Sequence, residues 1–377
     1  MIPRSPRIEV FATEDRSAQI LWRDLRCGEL VLTPSHGPPL SMAIDPHLTT
    51  GGATLDGLPP GRSIDIVASG PAVPTPIVTR TRTMPPLPGE ELARIGTISD
   101  LHLGAVNFGH RGTLREHPTP DTAHPRRCTD AALRATTRWG AEVVVAKGDL
   151  TNRGQIHEWR EYADLVHAAS VPIIGVPGNH DRAFRNGLAP EDAARAFGLT
   201  LASPLHVVDG AGYRLVLVDS TTGGHNHGRL DAVADDAVTA VAETEPGSVA
   251  LVFLHHQLHR WPVREVWPVG VGRLESRRFM EAVARTGTRC MVSSGHTHRH
   301  RRWEHREVTA TQVGSTKDYP GVWAGYVITD RAVRQVVHRV TEPDCLRWTE
   351  FTRRAAGGTW RWVAPGLLPS RCFDQIW

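Results

Sequence analysis

Five apolar runs of this chain end in residue types that can bind a metal ion. Such residues follow GTIS, VVVAKG, IIGVPG, LVFL and MVSSG; they are Asp100 and His102, Asp149, Asn179 and His180, His255 and His256, and His296 and His298. Any one of them alone would usually be a hydrogen-bonded loop residue. Their recurrence favours a shared site, because the carboxyl ends of strands in an open α/β sheet line one crevice. Carboxylate, amide oxygen and imidazole together suit Mn, Fe or Zn better than Ca or Mg.

The segment VSSGHTHRHRR places three histidines at alternate positions beside several arginines. Residues i and i+2 of a strand face the same side, so His296 and His298 are expected to reach one centre. His300 shares the spacing but is assigned to the next strand. The arginines are interpreted as a solvated face, with Arg299 as the one that could reach a substrate.

Taken in order, the motifs DLH, GD, GNHD, HH and GHTH resemble the calcineurin-like metallophosphoesterase superfamily, from about Arg94 to Val340. The resemblance implies an α/β fold, in which a double β-sheet sandwich is flanked by helices (α/β/β/α), and a dinuclear metal centre. Asp100, His102 and His298 would bind the first ion, Asn179, His255 and His296 the second, and Asp149 would bridge them. His255 is assigned rather than His256 because it directly follows its strand.

The resemblance also implies a catalytic pair. His180 would contact the phosphate and protonate the leaving oxygen, and Asp181 would orient His180. The implied reaction is phosphoester hydrolysis by metal-bound hydroxide, because two metals about 3.5–4 Å apart neutralise the anionic ester and acidify a water. His102 and His298 would each need a hydrogen-bond acceptor that sets the tautomer.

Within the superfamily, SDLHLG, GDLTNRG, GNHDR and SGHTHR are most similar to the bacterial class III cyclic-nucleotide phosphodiesterase group. The substrate is expected to be a small phosphodiester such as a cyclic nucleotide. A phosphomonoesterase or nucleotidase on the same scaffold is the main alternative, and a DNA-repair-type nuclease or a non-catalytic metal-binding scaffold is less favoured. Purple acid phosphatases require a tyrosine shortly after the Gly-Asp motif. Their chemistry is disfavoured because these positions are occupied by Leu150, Thr151, Asn152 and Arg153.

Several residues near the motifs are candidates for substrate contacts, each with a simpler alternative. These candidates are Arg153, Arg182, His225, His227 and Arg299. Salt bridges would explain the two arginines near the motifs, and a glycine-rich connector would explain the histidines. WPVREVWPVGVG, with Trp261 and Trp267, could cover the pocket. HPTPDTAHPRR is predicted to be a loop with His117 and His124 solvated.

The chain is predicted to have three parts. Residues 1–88 contain short alternating stretches (RIEVFA, AQILWRD, SIDIVAS) and resemble a fibronectin type III β-sandwich, with Trp22 as its buried tryptophan but Ile64 in place of the usual corner tyrosine. A loose β-rich extension is the alternative. Residues 89–340 would form the metallophosphoesterase domain. Residues 341–377 form a Trp- and Arg-rich tail that most simply covers an apolar surface of that domain, with a homodimer contact as the alternative.

Composition is ordinary for a globular protein, with 40% hydrophobic and 22% charged residues, and the net charge of +3 does not indicate a nucleic-acid or membrane partner. Lys147 and Lys317 are the only lysines. Five scattered cysteines without a CxxC pair suggest reduced thiols. No signal-peptide core or membrane-spanning run is found, so a cytoplasmic protein is expected.

Overall fold

The computed structural model describes residues 5–47, 49–109, 112–117, 121–182, 186–260 and 268–377. Trp261 and Trp267, predicted to cover the pocket, lie outside these residues. None of the helices within the described ranges combines the length and the apolar character that crossing a lipid bilayer requires.

The first seven strands form two antiparallel sheets around a core of their own. One sheet contains β1 (Arg7–Thr13), β2 (Ala18–Arg23) and β5 (Gly51–Leu55), and the other has the order β4 (Leu40–Ile44), β3 (Gly28–Pro34), β6 (Ser63–Ser69), β7 (Ile77–Arg82). Alternate residues of β6 are buried, as expected for strands with one face on a core. Trp22 belongs to this core. The predicted small β-sandwich is confirmed.

Two six-stranded sheets make up the larger part of the chain. The first has the order β12 (Ile173–Val176), β11 (Val143–Lys147), β8 (Glu91–Ile98), β19 (Val322–Thr329), β20 (Ala332–Arg339), β21 (Phe373–Ile376). The second has the order β13 (Leu205–Gly210), β14 (Tyr213–Val218), β15 (Val249–Leu254), β16 (Cys290–Ser294), β18 (Val308–Gln312), β17 (Arg301–His305). A short hairpin joins β9 (Asn107–Phe108) to β10 (Leu114–Arg115). Strands β8, β11 and β12 are mutually parallel, as are β14, β15, β16 and β18.

The two sheets pack face to face and helices cover their outer faces. Apolar residues of both sheets share one core, including Ile95, Val145, Leu251 and Tyr326. The helices are α1 (His124–Arg138), α2 (Ile156–Ala168), α3 (Asn179–Arg182), α4 (Pro190–Phe197), α5 (Ala234–Ala242), α6 (Arg273–Arg285), α7 (Pro343–Thr352), α8 (Trp360–Val363) and α9 (Leu368–Arg371). The predicted α/β/β/α sandwich is confirmed.

Helix α1 begins within the segment that was predicted to be a loop. Pro125 is compatible with the first helical turn, where no backbone N–H is required. His124 is buried rather than solvated, and its ring stacks on Trp348 with centroids 3.9 Å apart. The prediction of a loop with a solvated His124 is therefore wrong. The burial of His124 depends on an aromatic partner from the tail, which the local sequence does not reveal.

The tail is integrated into the larger part of the fold. Strand β21 pairs with β20 and becomes an edge strand of the first sheet. Trp348 is buried, and Trp377 packs against the core between the sheets, whereas Trp362 is 68% exposed. The tail therefore covers apolar surface with some of its tryptophans and also extends the sheet.

Candidate metal centre

The predicted ligands follow the carboxyl ends of five strands, three in the first sheet and two in the second. Asp100 and His102 follow β8, Asp149 follows β11, Asn179 follows β12, His255 follows β15, and His296 and His298 follow β16. All but His298 are buried. The two sheets thus bring the seven side chains together at one end of the sandwich, as expected for α/β sheets.

Five of these seven residues have a left-handed backbone. Their φ values are 53° for Asp100, 48° for His102, 48° for Asp149, 65° for His296 and 53° for His298. Such conformations cost free energy in residues other than glycine and collect at functional sites, where the surroundings hold them. Strand β16 ends at Ser294, so tight turns beyond the strand, rather than strand alternation, bring His296 and His298 to one centre.

One cluster contains Asp100, His102 and His298. Asp100 Oδ1 lies 3.3 Å from His298 Nε2, and the rings of His102 and His298 are 5.5 Å apart. His298 Nδ1 donates a hydrogen bond to Asp318 Oδ2 at 2.6 Å. This contact orients the ring and leaves Nε2 directed at the cluster, so Asp318 is the acceptor that the sequence did not name.

The other cluster contains Asn179, His255 and His296. His255 Nε2 lies 3.2 Å from Asn179 Oδ1 and 3.1 Å from His296 Nδ1. His255 Nδ1 donates to the carbonyl oxygen of Lys147 at 2.9 Å. Because Nδ1–H is held by this carbonyl, the ring would bind a metal ion through Nε2, which must lose its proton to do so.

Asp149 lies between the clusters. Its Oδ2 is 3.3 Å from His102 Nε2, and its Oδ1 is 3.4 Å from His255 Nε2. Oδ1 also accepts the backbone N–H of His180 at 2.9 Å. A carboxylate that faces one cluster with each oxygen has the geometry required of a bridging ligand.

The donor set fits a pair of transition-metal ions. His102 Nε2 and His296 Nε2 are buried and have no hydrogen-bond partner in the described ranges. Burial opposes protonation of His255, but the carboxylates of Asp149 and Asp100 outweigh it and raise its pKa to about 9. Burial favours the neutral form of Asp149, yet the imidazoles of His255 and its neighbours hold its pKa well below the usual value. Ionised, buried carboxylates beside imidazole nitrogens form an electrostatic setting in which a divalent cation binds.

His180 lies at the partly exposed rim of this centre. Its ring is 4.5 Å from that of His102 in an edge-on arrangement, and its Nδ1 donates to the carbonyl of Asn152 at 2.9 Å. Asp181, predicted to orient His180, instead accepts hydrogen bonds from the backbone N–H groups of Leu150, Thr151 and Gly178 and from the Thr151 hydroxyl. We therefore correct the prediction: the Asn152 carbonyl orients His180, and Asp181 holds the loop that carries Asp149.

The predicted substrate contacts have different surroundings. Arg182 forms salt bridges with Glu191 and, at 2.8 Å, with Asp219. The salt-bridge alternative therefore describes this residue. Arg299 lies over the Trp360 ring, 5.8 Å from its centroid. His225 and His227 are 5.0 Å apart in a loop where His225 is exposed.

Arg153 donates its backbone N–H to Glu158 at 2.8 Å, which leaves its predicted contact with substrate untested. The structure adds His256, which the sequence predicts to be a neighbour of the ligand His255 rather than a ligand itself. His256 is buried, its Nδ1 contacts the Ser220 hydroxyl at 2.9 Å, and its ring is 4.7 Å from that of His296. It also forms a potential ligand group with His255 and His296.

Three residues beside the first cluster were not predicted from the sequence. Asp318 is one, and Lys317 and Phe108 are the others. The Phe108 ring stacks on His298 with centroids 5.9 Å apart, and Lys317 Nζ lies 5.0 Å from the centre of the Phe108 ring. One signal was present: Lys317 is one of only two lysines among the 43 Lys and Arg residues of the chain.

This fold and site place the chain in a known family. The family model for calcineurin-like phosphoesterases matches residues 93–300, which is more than half of the sequence, and the chain belongs to that family. The expectation drawn from the five motifs is confirmed.

Curated relatives are identical to this chain at about a quarter of the aligned positions. The 3′,5′-cyclic adenosine monophosphate phosphodiesterase CpdA of Haemophilus influenzae is 25% identical over 178 residues, which is 45% of this chain and 60% of that protein. A probable cyclic nucleotide phosphodiesterase of Psychrobacter arcticus is 25% identical over 227 residues, with coverages of 58% and 78%. The glycerophosphodiester phosphodiesterase GpdQ of Enterobacter lignolyticus is 24% identical over 177 residues, with coverages of 46% and 62%.

The chain thus matches about 60% of the length of the first and third of these relatives. Among solved structures, a purple acid phosphatase from yellow lupin (Lupinus luteus) seeds is similar with a TM-score of 0.45 and 12% identity, covering 90% of this chain and 73% of that protein.

Proposed function

We propose that this protein hydrolyses a small phosphodiester at a dinuclear centre of Mn, Fe or Zn, with a cyclic nucleotide as the first substrate to test. The observation that carries the proposal is Asp149, whose two oxygens each face a separate cluster of ligand-type side chains. The names of the curated relatives, which are phosphodiesterases of cyclic nucleotides or glycerophosphodiesters, support the choice of substrate class.

Bound metal ions would neutralise the anionic ester and acidify a water molecule. Asp100, Asp149 and the imidazoles would hold the ions. The partly exposed His180 would protonate the leaving oxygen. Because its Nδ1–H donates to the Asn152 carbonyl, Nε2 is the atom that would hold and release the proton. An acid positioned in this way contributes roughly 10²–10⁴-fold to a rate.

The test uses the purified chain loaded with Mn²⁺ and assayed on an aryl phosphodiester and an aryl phosphomonoester. We expect turnover of the diester, and loss of that turnover in Asp149→Asn. Asp231→Asn is the matched control, since Asp231 is exposed and its side chain pairs only with Arg229 among the contacts of the described residues. Preference for the monoester would favour the phosphomonoesterase alternative, and no turnover of either ester would favour a non-catalytic metal-binding scaffold.

A substrate panel then narrows the class. It contains 3′,5′- and 2′,3′-cyclic nucleotides, glycerophosphodiesters, nucleotide sugars and single-stranded DNA. We expect cyclic nucleotides to be turned over with the highest kcat/KM. Turnover confined to single-stranded DNA would replace the proposal with a nuclease. Cytoplasmic location, a homodimer and domain boundaries at residues 88 and 340 stay predictions from the sequence.

A further inference from the structure

Asp318 connects the metal centre to the rest of the fold. Its side chain is fully buried, and its Oδ2 accepts the short hydrogen bond from His298 Nδ1. Lys317 Nζ lies 3.5 Å from the same oxygen. Because a carboxylate in this place sets both the tautomer and the tilt of a ligand imidazole, the position of Asp318 determines where His298 Nε2 points.

The backbone on both sides of Asp318 is held by the tail. We call residues 343–363, which include α7 and α8, the C-terminal clamp. Trp348 donates its indole N–H to the Lys317 carbonyl at 2.7 Å, and Trp360 donates to the Tyr319 carbonyl at 3.1 Å. The Thr352 hydroxyl accepts the Tyr319 backbone N–H at 2.8 Å. Two side chains of the clamp therefore bind the peptide groups on either side of Asp318, and a third binds the next peptide group along the chain.

The N-terminal sandwich supports the clamp from the other side. Arg23, at the end of β2, donates to Glu350 of α7 at 3.0 Å, and its guanidinium lies 5.9 Å from the centre of the Tyr319 ring. Arg339 and Arg353 lie over the same ring at 5.1 and 5.4 Å. The residue next to Asp318 is thus packed among groups from all three parts of the chain.

We propose that the C-terminal clamp positions the metal centre: by holding Asp318 against His298, it sets the metal affinity of the cluster formed by Asp100, His102 and His298. The inference rests on the proposed metal centre and deepens it. It gives the tail a role beyond covering apolar surface, since covering would require only the rings, whereas both indole N–H groups and one buried hydroxyl bind the loop that carries Asp318.

Thr352 offers a test with matched variants at one position. Thr352→Val keeps the shape but removes the acceptor for Tyr319 N–H, and Thr352→Ser keeps the hydroxyl. Mn²⁺ bound per chain is measured by electron paramagnetic resonance and equilibrium dialysis against free Mn²⁺, and metal-free melting temperatures are recorded in parallel. We expect Thr352→Val and Asp318→Asn to weaken one of the two Mn²⁺ sites by roughly 10–100-fold, and Thr352→Ser to bind as the wild type does.

Trp348→Phe provides a second perturbation, with Trp362→Phe as its control because Trp362 is exposed in the same segment. We expect Trp348→Phe to weaken one Mn²⁺ site and Trp362→Phe to leave both sites unchanged. The diester turnover of Trp348→Phe should be restored at high Mn²⁺. The proposal is overturned if Asp318→Asn binds two Mn²⁺ with wild-type affinity, or if the clamp variants lower the melting temperature without changing Mn²⁺ affinity. A wild-type chain that binds two Mn²⁺ yet hydrolyses no ester would contradict the proposed function alone.

Discussion

Glu350 should stabilise the whole chain through three ion pairs, two of them with the buried side chains of Arg23 and Arg339. Its carboxylate contacts Arg23 at 3.0 Å, Arg339 at 2.6 Å and Arg353 at 2.9 Å. Burial favours the neutral acid, but the charges of Arg339, Arg23 and Arg353 outweigh it and lower the pKa of Glu350 from 4.5 to about 2. At about 1.4 kcal/mol per pKa unit, this shift corresponds to on the order of 3 kcal/mol of stability at pH 7.

The sign of the pH dependence follows from the lowered pKa. The folded protein holds Glu350 ionised at pH values where the unfolded chain binds a proton, so its contribution is complete above pH 4.5 and is lost as the pH falls toward 2. Glu350→Gln should therefore lower the free energy of unfolding by on the order of 3 kcal/mol at neutral pH. The difference from the wild type should shrink as the pH falls below about 4.5.

Urea unfolding of both proteins at pH 7, 5 and 4 and at the lowest pH that keeps the wild type folded measures this difference. Glu342→Gln is the control, because Glu342 pairs at 3.6 Å with Arg138, which is 67% exposed; such surface pairs contribute about 0–1 kcal/mol. A Glu350→Gln protein as stable as the control at pH 7 would refute the reasoning. So would a stability difference that stays constant down to the lowest pH.

Three further predictions concern the site. Asp149→Ala should remove both metals and all turnover, because each of its oxygens faces one cluster; metal counting after dialysis checks this, and two retained metals would contradict it. His180→Gln should keep both metals and lower kcat by roughly 10²–10⁴-fold, and loss of metal would make His180 a ligand. Arg182→Met should lower stability by about 1–3 kcal/mol without raising KM, because it leaves Asp219 and Glu191 without their cation; a large rise in KM would restore its predicted contact with substrate.

The sequence supports prediction of the fold and the ligand types because both depend on local pattern. Uninterrupted apolar runs such as VVVA at the start of β11 indicate strands buried on both faces, and the strand is buried throughout. Ligand residues directly after such runs must lie at one end of the sheets. Backbone conformation could not be predicted from this pattern. His296 and His298 were expected to share a face through strand alternation, but left-handed turns beyond β16 bring them together.

The residues that support the ligands could not be predicted from the sequence, for a different reason. Asp318 is 20 residues from His298 along the chain, in a loop after β18, and the two meet because β16 pairs with β18. Asp181 follows His180 directly, so sequence adjacency suggested that it orients that ring. In the structure its carboxylate turns toward the backbone of Thr151 instead, because a buried carboxylate is stabilised by several N–H donors that only the folded loop presents.

The segments outside the family match also belong to the architecture of the site. The match ends at residue 300, yet Asp318 and the clamp lie beyond it. A metal ligand held in a strained backbone needs surroundings that prevent relaxation, and the ring of His298 depends on a loop that has no regular secondary structure of its own. That loop is held by indole and hydroxyl groups of the tail, and the tail is held by Arg23 of the sandwich. We therefore expect the first and last parts of the chain to act on the proposed metal centre through Asp318. Mn²⁺ affinity should fall most in Asp318→Asn, less in Thr352→Val and least on substitution of Arg23.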